Sequence, residues 1–269
     1  MKKIFIGLIA FLLVLGMVFA AKPAVTEKVN PVGKTVAIPS NAVEVAPGVF
    51  SLGTAIDNGR VVEGLMFVHY KKENAKPSGV GGKKGASTCY GFLANGAKWK
   101  TIEPYIVDPA NTRGLDATFV TSNLAMDIGK WETAANFNIL GNEIAGIVDG
   151  ADTVSPDNKN EVYFADIADS GAIAITIVWG YFSGPPSWRE LVEWDQVYDD
   201  VSFDWSATGE AGKMDFENIA THELGHSVGM GHPDSTCTEE TMYAYADYGE
   251  TKKRSLNAGD IAGILKLYN

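Results

Sequence analysis

The sequence predicts an α+β fold, and three observations carry that prediction. Two strand-like runs, 48–56 and 60–70, flank Asp57-Asn58-Gly59, which is hairpin turn chemistry. Further strand-like runs between 99 and 203 are interrupted by one amphipathic stretch, 117–135, whose apolar positions include Phe119, Leu124 and Trp131. After these comes a helical stretch that holds three of the chain's four histidines.

Taken in order, the chain begins with Lys2 and Lys3, then an apolar run over 4–18 broken only by Gly7 and Gly16, then small residues at Ala20 and Ala21. Residues 1–21 read as a secretory signal peptide. An uncleaved anchor competes, but the run is short for a membrane span. Residues 22–41 contain Pro23, Pro31 and Pro39 and few large apolar side chains, which suits an extended lead-in. His69, in the second hairpin strand, reads as a solvated strand histidine. Residues 71–87 are rich in Gly, Lys and Ser with no apolar period, and are expected to be an exposed linker at a domain boundary.

Beyond the linker, 99–107, 137–148, 161–167 and 172–179 read as strands, and Asp116 is placed to cap the helix over 117–135. The run 172–179 is apolar on both faces, as a well-packed strand requires. Gly184-Pro185-Pro186 breaks the chain, and 191–203 returns as a strand carrying Glu193, Asp195, Asp199 and Asp200. Asp215 then caps a helix whose buried side is supplied by Phe216, Ile219, Ala220 and Leu224. A last helix starts at Asn257, with Asp260 three residues on and a stripe of Ile261, Ile264, Leu265 and Tyr268.

Composition bounds the function. Hydrophobic residues at 46% and charged residues at 20% describe a globular protein. The formal charge of −11, two units more negative once Lys2 and Lys3 are removed, disfavours nucleic acid and anionic lipid as partners. No later stretch is long and apolar enough to span a bilayer, so no stable membrane association is expected after the signal is removed.

The chemistry concentrates in Thr221-His222-Glu223-Leu224-Gly225-His226-Ser227-Val228-Gly229-Met230-Gly231-His232. On a helix His222 and His226 are one turn apart on one face and can share a metal. Glu223 projects about 100° away, where a general base can touch a metal-bound water without being a ligand. Gly229 can end the helix in a left-handed conformation, letting the chain return His232 as third ligand. Three imidazoles and an open fourth position suit a catalytic Zn2+ ion.

This His-Glu-x-x-His-x-x-Gly-x-x-His pattern, with Thr241-Met242-Tyr243 ten residues on, resembles the metzincin zinc proteases. The final helix from Leu256 to Tyr268 is similar to that of their matrixin branch. The resemblance covers roughly 89–269. It implies a matrixin-like catalytic domain with a five-stranded twisted mixed sheet, two long helices, a C-terminal helix and a cleft across the molecule. It implies His222, His226 and His232 as zinc ligands, Glu223 as base and then acid, and Met242 as the floor of the site. Residues 172–179 would be the edge strand on which an extended peptide pairs, with Tyr243 or Tyr245 lining a substrate pocket.

Three departures from the family pattern stand out. The family's second zinc needs more histidines than His69, so one zinc is expected. Its proline-arginine-cysteine-glycine latch is missing, since Cys89 lies in Ser-Thr-Cys-Tyr-Gly. Gly259 replaces the first of two aspartates at the start of the last helix, leaving Asp260. Cys89 and Cys237 form a disulfide on one reading, and on the other Cys89 ligates the zinc in a latent form. The acidic residues between Asp195 and Asp204, with Asp166 and Asp169, are offered for Ca2+ or for a solvated face.

The expectation is therefore a monomeric, secreted zinc endopeptidase acting on protein or peptide substrates. Its parts are a signal peptide (1–21), an N-terminal pro-region and linker (22–84) and a catalytic domain (85–269). The alternative is a non-catalytic secreted zinc-binding or surface-interaction protein on the same fold.

Overall fold

A computed structural model describes residues 34–74 and 88–269. The expected signal peptide and domain boundary lie outside the described residues. In chain order the elements are β1 (Thr35–Val36), β2 (Val43–Ala46), β3 (Val49–Asp57), β4 (Arg60–Lys71), β5 (Gly91–Phe92), β6 (Ile106–Val107) and α1 (Ala117–Ala135). There follow β7 (Glu161–Ile167), β8 (Ala172–Tyr181), β9 (Glu190–Asp199), β10 (Trp205–Ser206), β11 (Met214–Asp215), α2 (Phe216–Ser227), β12 (Met230–Gly231), β13 (Tyr245–Ala246) and α3 (Ala258–Tyr268).

The main sheet is mixed and runs β1-β7-β9-β8-β4-β3-β2, with β6 added to β7 and β13 to β4. It has nine strands where five were expected. Five strands are added: β2, β3 and β4, which continue the sheet instead of standing apart from it, and the two-residue β1 and β13; the expected strand over 137–148 is lost from it. Residues 172–179 are consequently not an edge: β8 is flanked by β9 on one side and by β4 on the other, antiparallel to both. Strand pairing joins residues far apart in sequence, so order along the chain does not reveal who covers an edge.

Around β8 both faces of the sheet are buried. One carries Val120, Leu124, Trp131, Ile173, Val178, Ile219 and Leu224 between sheet and helices, and the other carries Met66, Val68, Ile175, Ile177, Trp179 and Val197. This is the two-faced burial that the all-apolar run in β8 requires. α1 packs on α2 and α3. Its cap is Asp116, whose side chain accepts Phe119 N–H, and it ends on Asn136 at φ 51°. Two expected strands are mostly irregular: 99–107 keeps only β6, and 137–148 only an isolated bridge from Glu143 to Tyr105. Among the described residues no helix is long and apolar enough to cross a membrane.

Candidate metal centre

α2 is buried along nearly its whole length. Its first turn is capped by Asp215, whose carboxylate accepts Asn218 N–H at 3.0 Å and is gripped by Arg254 at 2.6 and 2.8 Å. Trp99 donates its indole N–H to Ser227 O at 2.7 Å, satisfying a last-turn carbonyl. Gly229 then turns the chain at φ +102°, with Ala97 O 2.9 Å from where a Cβ would lie. The return strand β12 pairs with β5, Gly231 opposite Gly91, and this short ribbon delivers His232.

His222, His226 and His232 converge, with one ligand atom from each lying within 4.8 Å of the others. His222 Nδ1 lies 2.7 Å from Thr241 O, and His226 Nδ1 2.9 Å from Met230 O. A carbonyl only accepts, so each Nδ1 carries its proton and each Nε2 presents a lone pair inward. His222 Nε2 is buried without a partner, and His226 Nε2 and His232 Nε2 are 3.2 Å apart. Burial is the first cause holding all three imidazoles neutral; it takes His226 down to about 3. Three converging neutral imidazoles, those of His222 and His226 buried and in fixed tautomers, fit a zinc ion.

Glu223 is fully buried. Its Oε2 accepts the Thr176 hydroxyl at 2.5 Å and its Oε1 lies 2.9 Å from His69 Nδ1. Burial pushes its carboxyl up to about 8, against the opposing pull of Thr176 and Lys253. His69 is the main correction to the sequence reading. It is 1% exposed rather than solvated, and its ring lies 4.0 Å from that of His222. Its Nε2 is 3.0 Å from Lys253 Nζ, a lysine with no exposed surface that burial brings down to about 7. Lys253, His69 and Glu223 thus form one chain of hydrogen bonds. Thr176, Lys253 and Phe67, which stacks on His226 at 4.0 Å, carry no sequence signal for this role. The period-two pattern could only have put His69 on one face with Leu65 and Phe67.

Met242 packs under the site: a Cβ on Gly225 would meet its Sδ at 2.1 Å. Tyr243 and Tyr245 line a cleft of about 480 Å³ that also takes in Leu65, Phe67, Phe92 and His232. Cys89 and Cys237 are joined in a disulfide with Cα atoms 5.5 Å apart, so neither offers a thiolate to the metal site. Gly259 has no room for the family's aspartate, because Cys89 O lies 2.0 Å from the position of a Cβ.

The acidic residues disperse. Asp199 accepts backbone N–H groups from Ile167, Val201 and Phe203, Asp200 accepts Thr112 N–H, Asp204 pairs with Arg113, and Asp169 accepts the Tyr70 hydroxyl. Asp166 accepts the Thr35 hydroxyl. Asp195 instead meets Asp152 and Glu193, with one oxygen of each within 4.8 Å.

Residues 186–269 match the family profile described as Matrixin, peptidase family M10. Rat matrilysin is 45% identical over 60 residues, 22% of this chain and 22% of matrilysin. Human matrilysin is 41% identical over 73 residues, 26% of each chain. Metalloendoproteinase 1-MMP of Arabidopsis thaliana is 43% identical over 56 residues, 20% of this chain and 14% of the plant protein. The chain therefore spans about a quarter or less of the curated relatives it matches. Among solved structures, metalloproteinase-II from Bacteroides fragilis aligns over 84% of this chain and 77% of its own, at 11% identity and a TM-score of 0.33.

Proposed function

We propose that this chain, matrixin-like over residues 186–269, is a zinc-dependent endopeptidase acting on protein or peptide substrates. The observation that carries the reading is the convergence of three neutral imidazoles, those of His222 and His226 buried and that of His232 half-buried, beside a buried carboxylate. His222, His226 and His232 would hold the ion, a three-ligand set that leaves a position for substrate or water. When bound, zinc supplies Lewis acidity, which makes a water at that position acidic and polarises the carbonyl under attack.

The chain's own residues do the rest. Glu223 accepts the proton of the attacking water and returns it to the leaving amine, a task that its burial favours by raising its proton affinity. Thr176 fixes the carboxylate's orientation, and the carbonyls of Thr241 and Met230 fix the rings of His222 and His226. Met242 floors the helix at Gly225. The peptide would lie extended along β8 in the place that β4 takes in this structure, with one side chain in the cleft by Tyr243 and Tyr245.

Residues 1–21 would be lost on export, leaving a secreted monomer in which 22–84 acts as pro-region and 85–269 as catalytic domain. A calcium ion would sit among Asp152, Glu193 and Asp195, the one all-carboxylate trio of this spacing among the described residues.

One observation favours the second reading, a non-catalytic zinc-binding protein: both oxygens of Glu223 are already engaged, by His69 and Thr176. Metal analysis tests what the two readings share. The dialysed full chain should retain one zinc, and the His222→Ala/His226→Ala variant none. Retention by that variant refutes the three-histidine centre.

A further inference from the structure

β4 lies antiparallel along β8 from Glu63 to Tyr70, with Phe67 opposite Thr176 and His69 opposite Ala174. Strand alternation turns Met66, Val68 and Tyr70 into one core and leaves Phe67 and His69 facing α2. The Phe67 ring stacks on His226 at 4.0 Å and meets His232 edge-on at 5.8 Å. The His69 ring covers His222 at 4.0 Å, and its Nδ1 occupies Glu223 Oε1. A peptide carbonyl that must reach both the three Nε2 atoms and Glu223 meets two side chains already in place.

We infer that β4 is an internal pseudosubstrate strand: residues 65–69 occupy the position beside β8 that an extended peptide would take, and His69 caps Glu223. The inference rests on the peptidase reading above and names the regulation of that site. The described structure is then the closed state, and a peptide gains access only when β4 leaves β8. The clasp is polar and self-satisfying. His69 donates from Nδ1 to Glu223 and accepts at Nε2 from Lys253, so one neutral ring pairs an acid and a base that share a buried space. Removing that ring leaves Glu223 and Lys253 each short of a buried partner, which favours their hydration and the opening of the strand.

The test uses the zinc-loaded full chain and an extended peptide hydroxamate, a peptide ending in a metal-chelating group. Hydrogen exchange of amides 63–70 is followed with and without saturating hydroxamate, and its Kd is measured for the parent, His69→Ala and Phe67→Ala/His69→Ala. A site open only a tenth of the time loses about tenfold in apparent affinity. Saturation should therefore speed exchange of these amides, and the double variant should bind at least about tenfold more tightly than the parent.

Hydroxamate bound to the parent with exchange at 63–70 unchanged overturns the inference, because the peptide then reaches the site with β4 in place. Weaker binding by folded variants also overturns it and makes His69 a positioning residue of the working site. So does the absence of binding by every chain that retains zinc. If a variant fails to fold, the exchange measurement on the parent decides alone. Casein cleavage is read in parallel: tight binding without cleavage leaves the pseudosubstrate strand standing and removes the peptidase reading.

Discussion

The carboxylate of Asp260 accepts the backbone N–H of Thr241 at 2.7 Å, and Thr241 in turn offers its carbonyl to His222 Nδ1 at 2.7 Å. The same carboxylate accepts Met242 N–H at 3.1 Å and Asn257 N–H at 2.9 Å. A residue in the first turn of α3 thus holds the loop that orients a metal-facing ring on α2. Groups that orient metal ligands are worth roughly 10- to 100-fold in affinity. Asp260→Ala should weaken zinc binding by about tenfold or more, measured by competition with a chelator. Unchanged affinity would mean that the loop is held by other contacts.

Gly225→Ala weighs two effects of opposite sign. Alanine is favoured over glycine in a helix by about 1 kcal/mol. The added Cβ, however, would lie 2.1 Å from Met242 Sδ and 2.7 Å from Trp131, and overpacking of this kind costs about 1–3 kcal/mol. The close contact should win, so the variant is expected to unfold at lower denaturant. A midpoint above that of the parent would show that Met242 can move aside.

The acidic trio gives a pH dependence with a definite sign. Burial, then the charges of Asp195 and Asp152, pushes Glu193 from its ordinary 4.5 up to about 10. Between those values the native chain holds a proton that the unfolded chain has released, so stability falls as pH rises through that window. Glu193→Gln should flatten this slope, seen as urea midpoints at pH 6 and pH 9 that differ less than in the parent. Added calcium should raise the parent's midpoint at pH 9 and leave that of the variant nearly unchanged. Equal slopes in the two chains would remove Glu193 as the source.

The disulfide closes a sequence separation of 148 residues. In the chain-entropy model a loop of that size is worth about 4–5 kcal/mol. Cys89→Ser/Cys237→Ser should therefore unfold at markedly lower denaturant than the oxidised parent. Zinc content should be retained at low temperature, because neither sulfur belongs to the histidine cluster.

Much of the site was legible because its spacing is local. The i, i+4 pair His222 and His226, the left-handed Gly229 and the caps Asp116 and Asp215 are dictated within a few residues, and the structure places each as read. What was not legible is non-local. His69 lies 154 residues from Glu223 and Lys253 lies 184 residues from His69, and no period or motif links them. A period-two run says that His69 shares a face with Phe67 but not what that face meets. The same blindness made 172–179 an edge strand, since only tertiary pairing puts β4 there. Lys253 is buried between Lys252 and Arg254, and nothing in that basic run marks it out from its neighbours.

Hydrolysis of denatured casein by the zinc-loaded full chain tests the central claim most directly. It is measured in the parent and in the Phe67→Ala/His69→Ala chain, each with and without Glu223→Gln, with zinc content determined on all four. The account predicts one zinc per chain throughout, faster cleavage in the chain lacking the two β4 rings, and loss of cleavage in both Glu223→Gln chains. Cleavage that survives Glu223→Gln, or its absence from the zinc-loaded Phe67→Ala/His69→Ala chain, would contradict it.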